Sequence, residues 1–141
     1  MPAPDAVVLD TSVLVAGFIS RRGAASTLVE ALFRDELRLA YTSAILSEYA
    51  EVLDRPEFTN EISSHERMGI IVKLRASGLL VEPATVPGAD WPDIDDLPFI
   101  AAALATGRKI VVTLNRRDFL PAVALGVRVL SPSEARRALL P

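Results

Sequence analysis

The sequence predicts an α/β domain, a parallel sheet of about five strands covered by helices on both faces. Three observations lead there. Short apolar runs such as Ala6-Val7-Val8-Leu9 and Ile110-Val111-Val112 lack polar alternation, the pattern of strands buried on both faces. Longer segments with apolar residues at helical spacing separate these runs, so strand and helix alternate throughout. The 141 residues suit one core, and no repeat, low-complexity tract or linker divides residues 1–141, so a single domain is expected.

Taken in order, the first strand, 6–9, runs directly into Asp10. Thr11 and Ser12 then offer caps for an apolar helix over 13–19, which Arg21-Arg22-Gly23 breaks. A second helix over 24–34 carries Leu28, Val29, Leu32 and Phe33 on one face. Residues 37–41 form a second strand. Thr42 or Ser43 caps a helix over 43–53, and Pro56 cannot continue it. Residues 65–77 are helical, with Ile70, Ile71 and Leu74 inward and Gly78 as the stop. A third strand, 79–81, leads into a loop over 82–92 that holds Pro83, Pro87, Gly88 and Pro92. An alanine-rich helix over 97–106 ends at Gly107. A fourth strand, 110–113, a short helix, 116–124, and a fifth strand, 127–130, follow. Ser131 or Ser133 caps a last helix ending at Leu140.

Composition removes several functional classes. Half the residues are hydrophobic and 23% are charged, which excludes a disordered chain. The net charge of −3 argues against nucleic-acid binding through bulk positive charge, while leaving room for a local basic patch. There is no cysteine, so disulfides, thiol nucleophiles and thiolate metal sites are out. A Ser-His-Asp triad would have to use the single histidine, His65, and a histidine-based zinc site is all but excluded. The apolar stretch at 13–19 is far shorter than the roughly 20 residues a membrane span needs. No basic region stands before it in Met1-Pro2-Ala3-Pro4-Asp5, so no signal peptide and a cytoplasmic location are expected.

In open α/β sheets, ligands bind outside the carboxyl ends of the strands. Asp10 follows the first strand. Thr113, Asn115 and Asp118 follow the fourth. Asp90, Asp93, Asp95 and Asp96 precede the alanine-rich helix, four of the nine aspartates within seven residues. On the 43–53 helix, Ile45, Leu46, Tyr49, Val52 and Leu53 form one stripe. Glu48 lies roughly 110° from its centre, at the border of the buried face, where a carboxylate needs a cation or donors. Carboxylates brought together repel one another and stay ionised only around a cation. Hard oxygen donors without histidine or cysteine select Mg²⁺ or Mn²⁺. Metal-assisted phosphodiester hydrolysis is the chemistry such a site supports.

The same residues resemble a family. Val7-Val8-Leu9-Asp10-Thr11-Ser12-Val13-Leu14, then Glu48 within Ser43-Ala44-Ile45-Leu46-Ser47-Glu48-Tyr49, then Asp96-Leu97-Pro98-Phe99-Ile100-Ala101-Ala102-Ala103, then Val112-Thr113-Leu114-Asn115-Arg116-Arg117-Asp118-Phe119 are similar, in order, to the motifs of PIN domains. The likeness covers nearly the whole chain and extends to Val129-Leu130-Ser131-Pro132. It implies a three-layer α/β/α ribonuclease fold with Mg²⁺ or Mn²⁺ in an acidic pocket. It further implies an RNA substrate, a homodimer, and a cognate antitoxin protein, since many small bacterial members are toxins of type II toxin–antitoxin pairs. Carried over by position, Asp10, Glu48 and Asp96 are the core acids, Asp93 is an auxiliary acid and Asp118 the fourth. Asp10, Asp93, Asp96 and Asp118 would ligate metal, while Thr11, Ser12, Thr113 and Asn115 would line the cofactor site.

Two positions depart from the family pattern. Ser12 stands where asparagine is common, which keeps a hydrogen bond and loses the amide's second group. Asn115 stands where many members carry aspartate, and offers a carbonyl oxygen without charge. One turn of helix would bring Asp118 beside Asn115.

Each feature taken alone also admits a plainer role. Asp10 and Asp95 or Asp96 could cap helices, Glu48 could pair with an arginine, and Asp118 could be a surface acid. Arg21-Arg22 and Arg116-Arg117 could meet RNA phosphates or form a solvated face. Trp91 could stack a base or anchor its loop. His65 opens a helix and is assigned no chemistry. Receiver domains need an acidic pair after the first strand and a lysine ending the last, whereas Asp10 has no acidic neighbour and Lys109 precedes its strand. Haloacid-dehalogenase-type phosphatases need a second aspartate at position 12, which is serine here. A catalytically decayed PIN-like module, acting as a protein-interaction or RNA-binding partner, is the alternative that Asn115 keeps open. For a toxin, an apolar groove for an antitoxin segment is expected near helices 13–34 and 48–53.

Overall fold

A computed structural model describes residues 6–88 and 90–141. The expectation for Met1 to Asp5 lies outside the described residues. Five strands, β1 (Ala6–Leu9), β2 (Arg38–Tyr41), β3 (Leu79–Leu80), β4 (Ile110–Val112) and β5 (Arg128–Leu130), form one sheet in the order β3-β2-β1-β4-β5. Every pairing is parallel, with Val8 opposite Val111 and Leu9 opposite Val112 at the centre. All of β1 and β4 is buried, as unalternating apolar runs require.

The helices are α1 (Thr11–Ile19), α2 (Ala24–Phe33), α3 (Ser43–Leu53), α4 (Pro56–Thr59), α5 (Ser64–Ser77), α6 (Leu97–Leu104), α7 (Arg116–Phe119) and α8 (Pro132–Leu139). The architecture is the three-layer α/β/α arrangement expected. Helix α6 lies against β1, β2 and β4, α1 packs on α2, and α3 packs on α5. Tyr49, Phe99, Phe119, Leu9, Leu14 and Ile100 are among the largest fully buried side chains. No helix among the described residues is long and apolar enough to cross a membrane.

The chain visits β1, β2 and β3 on one side, then returns to β4 and β5 on the other. The strand order therefore reverses between β1 and β4, and adjacent loops there diverge to opposite faces. This opens a crevice at the carboxyl ends of those two strands, where Asp10 and Thr113 stand.

Several elements differ from expectation. Helix α1 starts at Thr11, not residue 13, and Thr11 and Ser12 do not cap it. Asp10 occupies the cap position without a side-chain cap bond, because hydroxyl donors engage its carboxylate instead. The expected 116–124 helix divides into α7 and a 3-10 turn over Leu120–Leu125, where Pro121 lacks the N–H that would continue α-helical bonding. Pro56 ends α3 as expected and also begins α4, since its fixed φ suits a first helical position. Ser63 opens α5 through a capping box with Glu66. Strand β3 is two residues long, although Val81 N–H still donates to the Tyr41 carbonyl at 2.9 Å.

Gly17 sits at the closest approach of α1 and α2. A Cβ there would lie 2.4 Å from Val29 Cγ2 and 2.8 Å from the Ala25 carbonyl oxygen. Gly17→Ala should therefore destabilise the fold by about 1–3 kcal/mol despite alanine's better helix propensity. Urea unfolding of the two proteins checks this, and an unchanged midpoint would refute it.

Candidate metal centre

The local sequence explains each position. Asp10 ends β1, and its N–H extends the ladder by donating to the Val112 carbonyl at 2.9 Å. Thr113 ends β4, and its N–H donates to the Leu130 carbonyl at 3.0 Å. Adjacent parallel strands thus carry the two side chains side by side. Thr113 Oγ1 donates to Asp10 Oδ2 at 2.7 Å, and Ser12 Oγ donates to the same oxygen at 2.9 Å. The Asn115 N–H in turn donates to Thr113 Oγ1 at 3.0 Å. A buried carboxylate with two hydroxyl donors is a fixed group, and Asp10 is only 8% exposed.

Glu48 projects from α3 and is half-buried, as its place beside the apolar stripe requires. The Thr11 hydroxyl donates to Glu48 Oε2, which ties α3 to the start of α1. Next to it, fully buried Tyr49 donates its hydroxyl to the Leu9 carbonyl at the end of β1. Burial raises the Tyr49 hydroxyl well above its ordinary pKa, and the charges of Asp10 and Glu48 raise it further. The phenol therefore stays neutral and keeps donating. The sequence reading placed Tyr49 in the core stripe and missed this bond. The available signal was that a buried tyrosine needs a partner for its hydroxyl.

The third contribution comes from the segment entering α6. Asp93 caps a 3-10 turn over Ile94–Asp96, accepting from the Asp95 N–H at 2.9 Å. Asp96 stands at the cap position of α6 without a side-chain cap bond, which leaves its carboxylate available. The fourth comes from the turn after β4, where Asn115 Nδ2 donates to Asp118 Oδ2 at 2.6 Å. The expected turn contact between these two residues is present.

Carboxylate oxygens of Asp93, Asp96 and Asp118 all lie within 4.8 Å of one another. Asp10 is not in this group of three, since hydroxyls hold its carboxylate against the strand ends. The Asp96 carboxyl is pushed from 3.8 up to about 7, first by burial and then by the charges of Asp10, Asp93, Asp118 and Glu48. All five acids therefore act on one place. The donor set suits a hard divalent cation, being carboxylates and hydroxyls with no thiolate or imidazole. His65, the only histidine, is exposed on α5.

Thr11, Ser12 and Glu48 also line a cavity of about 350 Å³, together with Val15, Val52, Arg55 and Phe58. Neither Arg55 nor Phe58 was singled out from sequence, because Pro56 marks that segment only as a helix stop. Among the other residues considered, Arg116 pairs with Glu134 of α8 at 2.7 Å, while Arg117 is exposed. Arg21 lies near Glu66, whose carboxyl is lowered chiefly by the Ser63 backbone N–H and to a lesser degree by Arg21. Trp91 packs partly against the core and lines a pocket with Pro87, Pro121 and Leu125, as a loop anchor does. The apolar groove in this structure runs between α3 and α5, past Leu53, Met68, Ile71 and Val72. It shares α3 with the groove expected from sequence, but its other wall is α5.

Two measurements follow. Replacing Tyr49 by Phe leaves the Leu9 carbonyl buried without its donor and should cost about 1–3 kcal/mol, read by denaturant unfolding. Asp96 has a folded pKa of about 7 against an ordinary 3.8, so the folded state holds this proton more tightly. Its contribution to stability is complete below about pH 4 and is lost as the pH rises through 7. In EDTA, the wild type should lose on the order of 1 kcal/mol more than Asp96→Asn between pH 5 and pH 8, after allowance for solvent screening. Equal losses would refute the clustering of charge at Asp96.

Comparison with known proteins agrees with this geometry. No curated protein matches the chain. A family profile described as PIN domain matches residues 6–117, a stretch that spans β1 to the start of α7 and includes Asp10, Glu48, Asp93, Asp96, Thr113 and Asn115. The fold is the nuclease-like one and the acidic cluster is a possible metal site. By the profile match and the parallel sheet with acids at its switch point, the chain belongs to the PIN-domain family.

Proposed function

We propose that the chain is a metal-dependent endoribonuclease that hydrolyses RNA phosphodiester bonds with Mg²⁺ or Mn²⁺. The observation that carries this reading is the meeting of Asp93, Asp96 and Asp118, whose carboxylate oxygens lie within 4.8 Å of one another, a costly arrangement for a fold with no cation to hold. Asp93, Asp96 and Asp118 would hold the ion, with Asp10 facing them from the strand ends. When bound, the ion supplies water activation and neutralises charge developing on the phosphate.

The chain's own groups would divide the remaining work. Asp10 is held in place by the hydroxyls of Ser12 and Thr113. Asn115 orients Asp118 through its amide, which explains how an uncharged residue serves where many members have aspartate. Glu48 spends Oε2 on Thr11, while Oε1 has no hydrogen bond among the described residues and is available to a water or a ligand. Arg117, exposed beside the site, would meet a phosphate and offset the pocket's negative charge.

In the same reading, residues 1–141 act as one domain in the cytoplasm, as the toxin of a type II toxin–antitoxin pair, with a homodimer and a cognate antitoxin as partners. Linkage to a small open reading frame that encodes a DNA-binding protein would support the toxin role. The alternative is a decayed module that binds RNA or protein without cutting, which the loss of one charge at Asn115 favours.

Purified protein should cleave single-stranded RNA with Mn²⁺ or Mg²⁺ and stop in EDTA. Asp96→Asn and Asp118→Asn should each lower the rate by about a hundredfold or more. Independently, Mn²⁺ should raise the wild-type melting temperature and leave that of Asp96→Asn nearly unchanged. No cleavage and no thermal shift would leave the decayed module. Cleavage undiminished in Asp96→Asn would mean that the acids are not the site.

A further inference from the structure

A second cavity adjoins the site at Thr11, Ser12 and Glu48. Lined also by Val15, Val52, Arg55 and Phe58, it continues along α3 to the corner with α4. Its volume of about 350 Å³ leaves room for more than a water or an ion. Its chemistry changes along its length. At the Glu48 end it is anionic and hydroxylic. At the far end stand a guanidinium and an aromatic ring. Arg55 is exposed, and its side chain has no hydrogen bond or ion pair among the described residues. Phe58 is half-buried and lies outside the core cluster. Arg55 stands just past the end of α3, in extended conformation at the cap of α4, and lines the same cavity as Glu48.

The corner is rigid. Arg55 N–H donates to the Val52 carbonyl at 3.1 Å, Phe58 N–H to the Arg55 carbonyl at 2.9 Å, and Ile62 N–H to the Phe58 carbonyl at 2.9 Å. Pro56 fixes the first residue of α4. Both side chains are thus presented on a backbone already in place, which lowers the ordering cost of binding.

We infer that the Arg55–Phe58 corner is a subsite for the unpaired nucleotide flanking the reactive phosphate, with Arg55 on the flanking phosphate and Phe58 stacked on the base. The inference rests on the nuclease reading above. It ties the single-stranded substrate of that reading to two residues, since a base inside a duplex has no free face to offer a ring. It also assigns selectivity to residues outside the acidic cluster. The groove offers stacking and charge in place of base-edge donors, so it takes any base.

The test measures binding in EDTA, without cleavage, by fluorescence anisotropy of a labelled single-stranded oligoribonucleotide and of the same sequence as a duplex. Wild type should bind the single strand at least about fivefold more tightly than the duplex. Phe58→Leu should weaken single-strand binding by about tenfold, and Phe58→Tyr should preserve it. Arg55→Gln should weaken binding and lower the slope of log affinity against log salt by about one. Neither position is in the acidic cluster, so Mn²⁺ should still raise the melting temperature of all three variants, which also shows that they are folded. Wild-type binding with unchanged affinity in both Phe58→Leu and Arg55→Gln would overturn the subsite and leave the nuclease reading intact. Equal affinity for duplex and single strand would overturn it too. Failure of the wild type to bind either RNA would overturn the subsite, whereas loss of both metal-dependent cleavage and the Mn²⁺ thermal shift would remove the nuclease reading and the subsite with it.

Discussion

Mutual repulsion among five carboxylates is the constraint on which the rest depends. Asp10, Glu48, Asp93, Asp96 and Asp118 come from four different parts of the chain. Nothing local requires them to meet, and each would be better solvated apart. The fold brings them together because Asp10 and Thr113 end adjacent strands at the point where the strand order reverses. Burial of β1 and β4 supplies the driving force, and the acids at the rim are carried by it. The cost is felt at Asp96, whose carboxyl is pushed up to about 7, first by burial and then by the other four charges.

Hydroxyl groups make this arrangement tolerable. Ser12 and Thr113 both donate to Asp10 Oδ2, Thr11 donates to Glu48, and the Asn115 amide donates to Asp118. Each of these neutral donors stabilises an anion without cancelling the charge a cation would need. An arginine in any of these places would have stabilised its acid more strongly and emptied the pocket of its purpose. Tyr49 belongs to the same economy. Kept neutral by burial and by the neighbouring acids, it fastens α3 to the end of β1 and so fixes the separation of Glu48 from Asp10.

The fold was legible wherever the pattern was local and the burial complete. The unalternating runs of β1 and β4 and the apolar faces of α2 and α3 gave the layers and their order. Asp10 was legible because an apolar strand ran straight into it, and Glu48 because the helical wheel left a carboxylate on a buried margin. Asp93 and Asp96 were legible as a crowd of acids, but the sequence could not say which ones turn inward, since a 3-10 turn decides that. Three things were out of reach. Asp10 stands before α1 without a side-chain cap bond, and one of the donors to its carboxylate is Thr113, 103 positions away. The bond from Tyr49 to Leu9 spans 40 positions. Arg55 and Phe58 acquire meaning only once α4 turns the chain back alongside Glu48.

The margin of the sheet has a consequence of its own. Strand β3 is a two-residue stub, and β5, at the opposite margin, has three residues beginning with exposed Arg128. A protein that is half apolar and carries a net charge of only −3 is poorly protected by electrostatic repulsion between copies. Stubs this short give an incoming chain almost no backbone ladder to zip onto, and a cation on one of them adds a cost. The same shortness that makes the sheet's borders look vestigial therefore guards the molecule against growing into fibres.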